Sequence, residues 1–242
     1  SGHSNGKMNC HYCGYEEPEA HVCPECGSRY ISGFKAGTQK IEMLVKKRFP
    51  KARVLRMDFD TTRKKESYEK ILSAFANHEA DILVGTQMIV KGHDFPNVTL
   101  VGVLAADLSL GVSDYRASER TFQLLTQAAG RAGRGDRPGE VVIQTYQPEH
   151  YSIVAAAAQD YASFYAHEME YRRMLCYPPV WNMLLILSAA KNEELAYQAS
   201  ERMKRVIAAL GYQNLFVVGP ADTAVAKVND IYKKVIYIKT KD

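Results

Sequence analysis

Four cysteines and a pair of arginines carry the clearest chemistry in this sequence. Cys10 with Cys13, and Cys23 with Cys26, form two Cys-x-x-Cys pairs, each followed by a glycine, Gly14 or Gly27. Two intervening residues let both sulfurs of a pair reach one ion. The glycine permits the positive φ that turns backbone N–H groups toward sulfur. Four thiolates suit zinc in a closed tetrahedral shell, which leaves no position for a substrate and makes the role structural. The competing state is two free or disulfide-bonded pairs; a reducing compartment disfavours the disulfides. His11 and His21 could ligate by type, but a solvated loop position suits each better. Two arrangements stay open: all four sulfurs on one ion, or each pair as half of a separate site. Cys176 stands apart and reads as a small buried residue.

The arginines sit in Thr126-Gln127-Ala128-Ala129-Gly130-Arg131-Ala132-Gly133-Arg134-Gly135. Arg131 and Arg134, three apart at a helix end, share a face. Gly130 and Gly133 let a facing surface come close. Two converging guanidiniums match the oxygens of a triphosphate and stabilise charge in phosphoryl transfer. One arginine alone would do no more than complement the helix dipole. Forty residues upstream, Thr86 and Gln87 follow an apolar strand, where they can hydrogen-bond a phosphate or sugar. Gly92 allows close approach of a ligand or backbone, and Asp94 can accept from a ribose hydroxyl or orient an arginine. Singly, each of these reads equally well as turn chemistry.

The elements that position these groups follow from hydropathy. Apolar residues at 41, 44, 45 and 49 mark a helix over 38–49, and 68, 71, 72 and 75 mark another over 67–77. Strands are expected over 52–57, 82–84, 98–104 and 140–146, with a helix over 117–129. The short all-apolar strands are those of a sheet covered on both faces. The β-α alternation predicts an α/β lobe with a mostly parallel sheet. After about residue 148 the pattern changes to a small α+β domain. A long helix is expected over 151–175, ending before Pro178-Pro179. Strands follow over 183–188, 215–218 and 235–238, with a helix over 193–210 whose apolar stripe is Leu195, Ala199, Met203, Val206, Ile207 and Leu210. The expected organisation is therefore 1–33 cysteine-rich, 34–147 α/β, and 148–242 α+β.

With 242 residues, 46% hydrophobic and 24% charged, the chain has the composition of a globular protein able to bury a core. Its net charge of +4 neither requires nor excludes nucleic acid. The longest apolar run, 183–190, is far too short to span a bilayer. The polar start, Ser1 to Lys7, lacks a signal-peptide core, and its Ser-Gly-His opening reads as a cloning remnant. A soluble, cytoplasmic protein is expected. Trp181, Tyr212, Tyr232 and Tyr237 lie among Lys227, Lys233, Lys234, Lys239 and Lys241, which can stack bases and neutralise phosphates. Core aromatics beside a solvated strand face explain the same residues slightly better.

The ordered motifs resemble those of superfamily 2 helicases in the second RecA-like lobe, and within them the PriA family of bacterial replication-restart DNA helicases. The residues that carry this are the two cysteine knuckles, Gly37-Thr38-Gln39, Met57-Asp58-x-Asp60-Thr61-Thr62, the stretch Gly85-Thr86-Gln87 to Pro96, Asp114-x-Arg116-Ala117-x-Glu119-Arg120, the arginine motif, Tyr177-Pro178-Pro179 and Gly219-Pro220. The similarity covers essentially the whole chain. It implies the C-terminal part of a 3′-to-5′ ATP-dependent DNA helicase. Such a protein recognises and remodels stalled forks and directs primosome assembly.

By that resemblance Arg134 is the arginine finger and Arg131 a second γ-phosphate contact. Gln127 couples the nucleotide and DNA sites, and Gly92 and Asp94 line the nucleotide cleft. Thr38, Thr86, Gln87 and Lys91 meet the DNA strand. The family's eight cysteines hold two zinc ions, which would split Cys10 and Cys13 from Cys23 and Cys26. The implied cofactors are structural Zn2+, with ATP and Mg2+ in the parent protein. The implied partners are single-stranded and forked DNA, single-stranded-DNA-binding protein and primosome loading proteins. A nucleoid-associated monomer without membrane contact is expected. No Gly-x-x-x-x-Gly-Lys-Ser/Thr loop and no Asp-Glu-x-His box occur in the sequence, so this chain alone is expected not to turn over ATP. The alternative is a non-enzymatic zinc-ribbon module that binds nucleic acid or a protein partner. A pure binding module, however, has no use for arginines at this spacing.

Metal analysis of the purified chain tests the cysteine reading. Bound zinc that is released when Cys13 is replaced by serine is the expected result. One ion per chain means the four sulfurs share it, and two means each pair completes its shell from another molecule. Zinc-free protein removes the reading.

Overall fold

The computed structural model describes residues 7–9, 16–18, 21–22, 27–29, 37–58, 60–62, 65–90, 95–112, 114–133, 137–228 and 230–241. The chain divides into two compact units. One is Ser32–Ala106 with Phe122–Pro148, and the other is Ser1–Ile31, Asp107–Thr121 and Glu149–Asp242.

In the first unit, helix α1 (Thr38–Arg48; the N-terminal strands below take β1 and β2) precedes β3 (Val54–Met57), α2 (Lys65–Ala76) and β4 (Ile82–Gly85). A 3-10 turn, Gln87–Val90, leads on to β5 (Leu100–Val103), and β6 (Glu140–Ile143) closes the unit. Strands β3 and β4 pair in parallel, Val54 with Ile82 through Met57 with Gly85. Strands β5 and β6 also pair in parallel, Leu100 with Glu140 through Val103 with Ile143. Among the described residues the expected sheet is thus two four-residue parallel ladders. The face of α2 expected from its spacing does the packing. Met57, Leu72 and Phe95 are buried, with Tyr68, Ile71, Phe75, Leu83, Ile89 and Val98 against them. Phe75 meets Phe95 edge-on at 5.0 Å between ring centroids. Helix α1 buries no residue completely, and Leu44 and Phe49 of its expected inner face are exposed.

The second unit contains the short hairpin β1 (Lys7–Asn9) and β2 (Glu16–Pro18), paired Met8 with Glu17. It also holds α3 (Asp107–Leu110) and the start of α4 (Ala117–Ala129). The rest is α5 (Tyr151–Ala157), α6 (Tyr161–Met174), β7 (Asn182–Ala190), α7 (Glu193–Ala209), β8 (Leu215–Val228) and β9 (Ile231–Thr240). The last three strands form one antiparallel sheet in the order β7-β9-β8. The central strand β9 supplies the buried Val235, Ile236 and Ile238.

Three expectations change here. The single helix over 151–175 is two helices. Gln159 takes a left-handed φ of 54°, and Asp160 caps α6 by accepting from the Ser163 N–H at 3.0 Å. That local side-chain bond competes with helix continuation and wins. Second, the apolar stripe of α7 faces outward, with Leu195, Val206 and Leu210 near 60% exposed. The small Ala196 and Ser200 bury instead, because small residues let the helix lie close to the sheet. Third, Cys176 is half-buried, with φ 55° at the end of the α6 turn. Among the described residues no helix is long and apolar enough to cross a membrane.

A buried ionic network holds the second unit together. Arg172 is almost fully covered and donates to Glu168 at 2.7 Å, Glu119 at 2.6 Å and the Pro178 carbonyl at 2.8 Å. Tyr151 donates to the other Glu168 oxygen at 2.6 Å. Burial first, and then the Glu168 bond, push the Tyr151 hydroxyl well above the usual tyrosine range. Tyr115 stacks on Tyr177 at 5.1 Å, and the Lys239 ammonium lies 3.7 Å from the Tyr177 ring centroid. Removing one member of such a pair strands a buried charge. Arg172→Ala is expected to lose about 3–5 kcal/mol of unfolding free energy in urea titrations. A loss under about 1 kcal/mol would show that the pair is effectively solvated.

Candidate functional site

Strand β3 ends at the carboxylate of Asp58, and that group organises its surroundings. Its Oδ2 accepts from the Thr38 hydroxyl at 2.5 Å, and its Oδ1 accepts the Thr61 N–H at 2.9 Å. The Thr61 hydroxyl returns the bond by accepting from the Asp58 N–H at 2.9 Å. Thr62 donates to the Asp58 carbonyl at 2.6 Å. Arg56 lies 3.3 Å from Asp58 and 3.5 Å from Glu42 of α1. The Thr38 bond first, then the Thr61 N–H, hold the Asp58 carboxyl below the usual range against its own burial, with Arg56 adding to them. The start of α1 is thereby tied to the end of β3.

The register sets Met57 against Gly85, so Thr86 and Gln87 follow β4 beside this group. Both are exposed. Gly85 is required: a Cβ there would stand 2.3 Å from the Met57 carbonyl oxygen. Thr38, Asp58, Thr86 and Gln87 thus gather at the C-terminal end of the β3–β4 ladder, where α/β folds place ligand-binding loops.

The arginine motif forms a second grouping. Gln127 is exposed on the last turn of α4, and Arg131 follows it, half-buried, with its N–H on the Ala128 carbonyl. Gly133 then takes φ 72° and donates to the Val98 carbonyl at 3.0 Å. A Cβ on Gly133 would meet the Gly139 nitrogen at 2.6 Å, and one on Gly139 would meet the Gly133 nitrogen at 2.2 Å. The Gly133–Gly139 contact therefore holds the turn against the chain that enters β6, and the Gly133 N–H ties it to Val98, two residues before β5. Lys91, Gly92, Asp94 and Arg134 lie outside the described residues, as do Cys10, Cys13, Cys23 and Cys26. Gly27, directly after Cys26, has φ 69°, the conformation a cysteine knuckle asks of its glycine.

Several lysines and aromatics near the C-terminus have partners within the chain. Lys239 is buried and donates to the Leu175 carbonyl at 2.8 Å; burial lowers its pKa. Lys234 bridges Asp222 at 2.6 Å and Glu193 at 2.8 Å. Lys227 pairs with Asp230 at 2.9 Å, and Trp181 packs on Phe216. Three of the five lysines read as phosphate ligands are engaged within the chain.

Sequence reading missed the Asp58–Thr38 link and the Arg172 cluster. The i, i+4 spacing of Glu168 and Arg172 on one helix was the available signal for the latter. Nothing local pairs residues 38 and 58.

Comparison with known proteins agrees with the motifs. The family model described as "Helicase conserved C-terminal domain" matches residues 29–136. The α/β ladders fit a RecA-like second lobe. Replication restart protein PriA of Bacillus subtilis (strain 168) is 48% identical over 235 residues, which are 97% of this chain and 29% of the relative. The protein of that name from Synechocystis sp. is 41% identical over 98% of the chain and 29% of the relative. That from Treponema pallidum (strain Nichols) is 38% identical over 97% of the chain and 36% of the relative. The chain spans about a third of the length of these curated relatives.

Gly133→Ala tests the clamp. It is expected to lose about 2 kcal/mol in thermal or urea unfolding, since both φ and space oppose a side chain. A neutral effect would mean that the turn is not fixed.

Proposed function

Since this chain belongs to the family of replication restart protein PriA, we propose that it is the C-terminal part of an ATP-dependent 3′-to-5′ DNA helicase. In this reading the parent protein recognises and remodels stalled forks and directs primosome assembly. The observation that carries the motor reading is the clamped turn after α4, where Gly133, two residues past the half-buried Arg131, is held to Val98.

Each group then has a task. Arg134 acts as the finger that stabilises charge on the transferring phosphoryl group, and Arg131 contacts the same phosphate. Gly92 and Asp94 line this lobe's side of the nucleotide cleft. Gln127, one helical turn before Arg131, relays between nucleotide and DNA. Thr38, Thr86 and Gln87, with Lys91, meet the phosphates of the tracked strand, a sequence-independent mode of contact. Cys10, Cys13, Cys23 and Cys26 hold zinc, which supplies folding energy to a segment without an aliphatic core. Partners are single-stranded and forked DNA, single-stranded-DNA-binding protein and primosome loaders, in the bacterial cytoplasm at the nucleoid. Domain bounds of 1–33, 34–147 and 148–242 belong to the same reading.

Turnover also needs a Gly-x-x-x-x-Gly-Lys-Ser/Thr loop to cradle phosphates and an Asp-Glu-x-His box to hold magnesium, neither of which occurs in this sequence. The 242-residue chain alone is therefore expected to release no phosphate from ATP, with or without DNA. In the full-length parent, Arg134→Ala is expected to lower kcat of DNA-stimulated hydrolysis about 10³-fold. A decrease under about tenfold would sink the assignment of the finger.

A further inference from the structure

The motif Met57-Asp58-x-Asp60-Thr61-Thr62 has no task in the reading above, yet its first carboxylate touches a residue placed at the DNA strand. A threonine hydroxyl carries one proton. Asp58 is nearly fully covered, and its carboxylate is an acceptor only while ionised. Its Oδ1 is taken by the Thr61 N–H, so the 2.5 Å contact at Oδ2 is donated by Thr38. The hydroxyl proton of Thr38 therefore points into the protein, while its side chain is only half-buried. What the oxygen offers outward is lone pairs. A phosphate diester at neutral pH is likewise an acceptor, so in this orientation the hydroxyl can lie against the strand but donates nothing to it. The low pKa of Asp58 keeps this polarity fixed across the neutral range.

We infer that Asp58 is a positioning residue that withholds the Thr38 hydroxyl from the DNA backbone and so weakens this lobe's grip on the strand. The inference rests on the proposed contact between Thr38 and DNA. A translocating motor gains from a grip that it can release, and an inward-turned donor over a carboxylate supplies one. Asn in place of Asp58 reverses the polarity. Its oxygen can keep the Thr61 N–H, while its amide then donates to the Thr38 oxygen and sends the hydroxyl proton outward.

Fluorescence anisotropy of a labelled oligothymidine, titrated with the 242-residue chain at fixed salt, reads this out. Asp58→Asn is expected to bind about tenfold more tightly, the scale of one hydrogen bond to a charged acceptor. Adding Thr38→Val to Asp58→Asn is expected to remove that gain. Asp58→Ser keeps the turn to Thr61 and is too short to reach Thr38, so it gives the same readout if the Asn variant does not fold. Weaker or unchanged binding by folded Asp58 variants overturns the inference. So does a gain that survives Thr38→Val, which would make the lost charge alone the cause. If the unsubstituted chain shows no salt-dependent binding, the DNA contact of this lobe falls and the inference falls with it. Binding without the Asp58→Asn gain removes the inference alone.

Discussion

The α/β unit depends on what happens where β3 ends. Two parallel strands of four residues offer few ladder bonds, and α1 lies over them without a fully buried side chain. The join is polar instead. Asp58 takes Thr38 from the first turn of α1 and Thr61 from the following loop, while Arg56 reaches both Asp58 and Glu42. A buried carboxylate with acceptors to fill fixes direction as well as distance, which an aliphatic contact would not do. Because the register then sets Thr86 beside it, one carboxylate determines the geometry of the group at this end of the ladder.

The other unit solves the same problem with a larger desolvation penalty. Arg172 lies between two glutamates and beneath Tyr115, with Tyr177 and Lys239 continuing the stack. Ionic groups so placed contribute little net stability against apolar substitutes, but they penalise every arrangement in which a partner is missing. That explains why segments distant in sequence, 107–121 and 149–242, form one unit. The hydrogen bond from Arg172 to Glu119 spans 53 residues and draws in the motif Asp114 to Arg120.

Much of the fold was legible in the sequence. Helix α4 has the expected bounds, and α2 packs with the expected residues, because a 3.6-residue apolar period states a buried face directly. Short apolar runs gave the strands to within a few residues, although β8 and β9 continue well beyond their apolar centres. The break at Gln159 was hidden because the alanine-rich run 155–158 and the helix formers after residue 161 outweigh one Asp160-x-x-Ser163 cap in a pattern search. The stripe of α7 misled because apolar spacing reports a face, whereas close approach to a sheet favours the small Ala196 and Ser200.

The sequence by itself determined the motif order and the family, and it marked Gly133 as a point of close approach. These are local or linear properties: spacing, residue type and backbone freedom. Tertiary structure alone decided which charges meet. Thr38 and Asp58 are twenty residues apart and share no periodicity, and Lys239 resembles a surface cation until the chain folds it over Tyr177. Hydrogen bonds are short-ranged and directional, so their partners exist only after the elements have packed, and no one-dimensional pattern encodes which donor an acceptor will find.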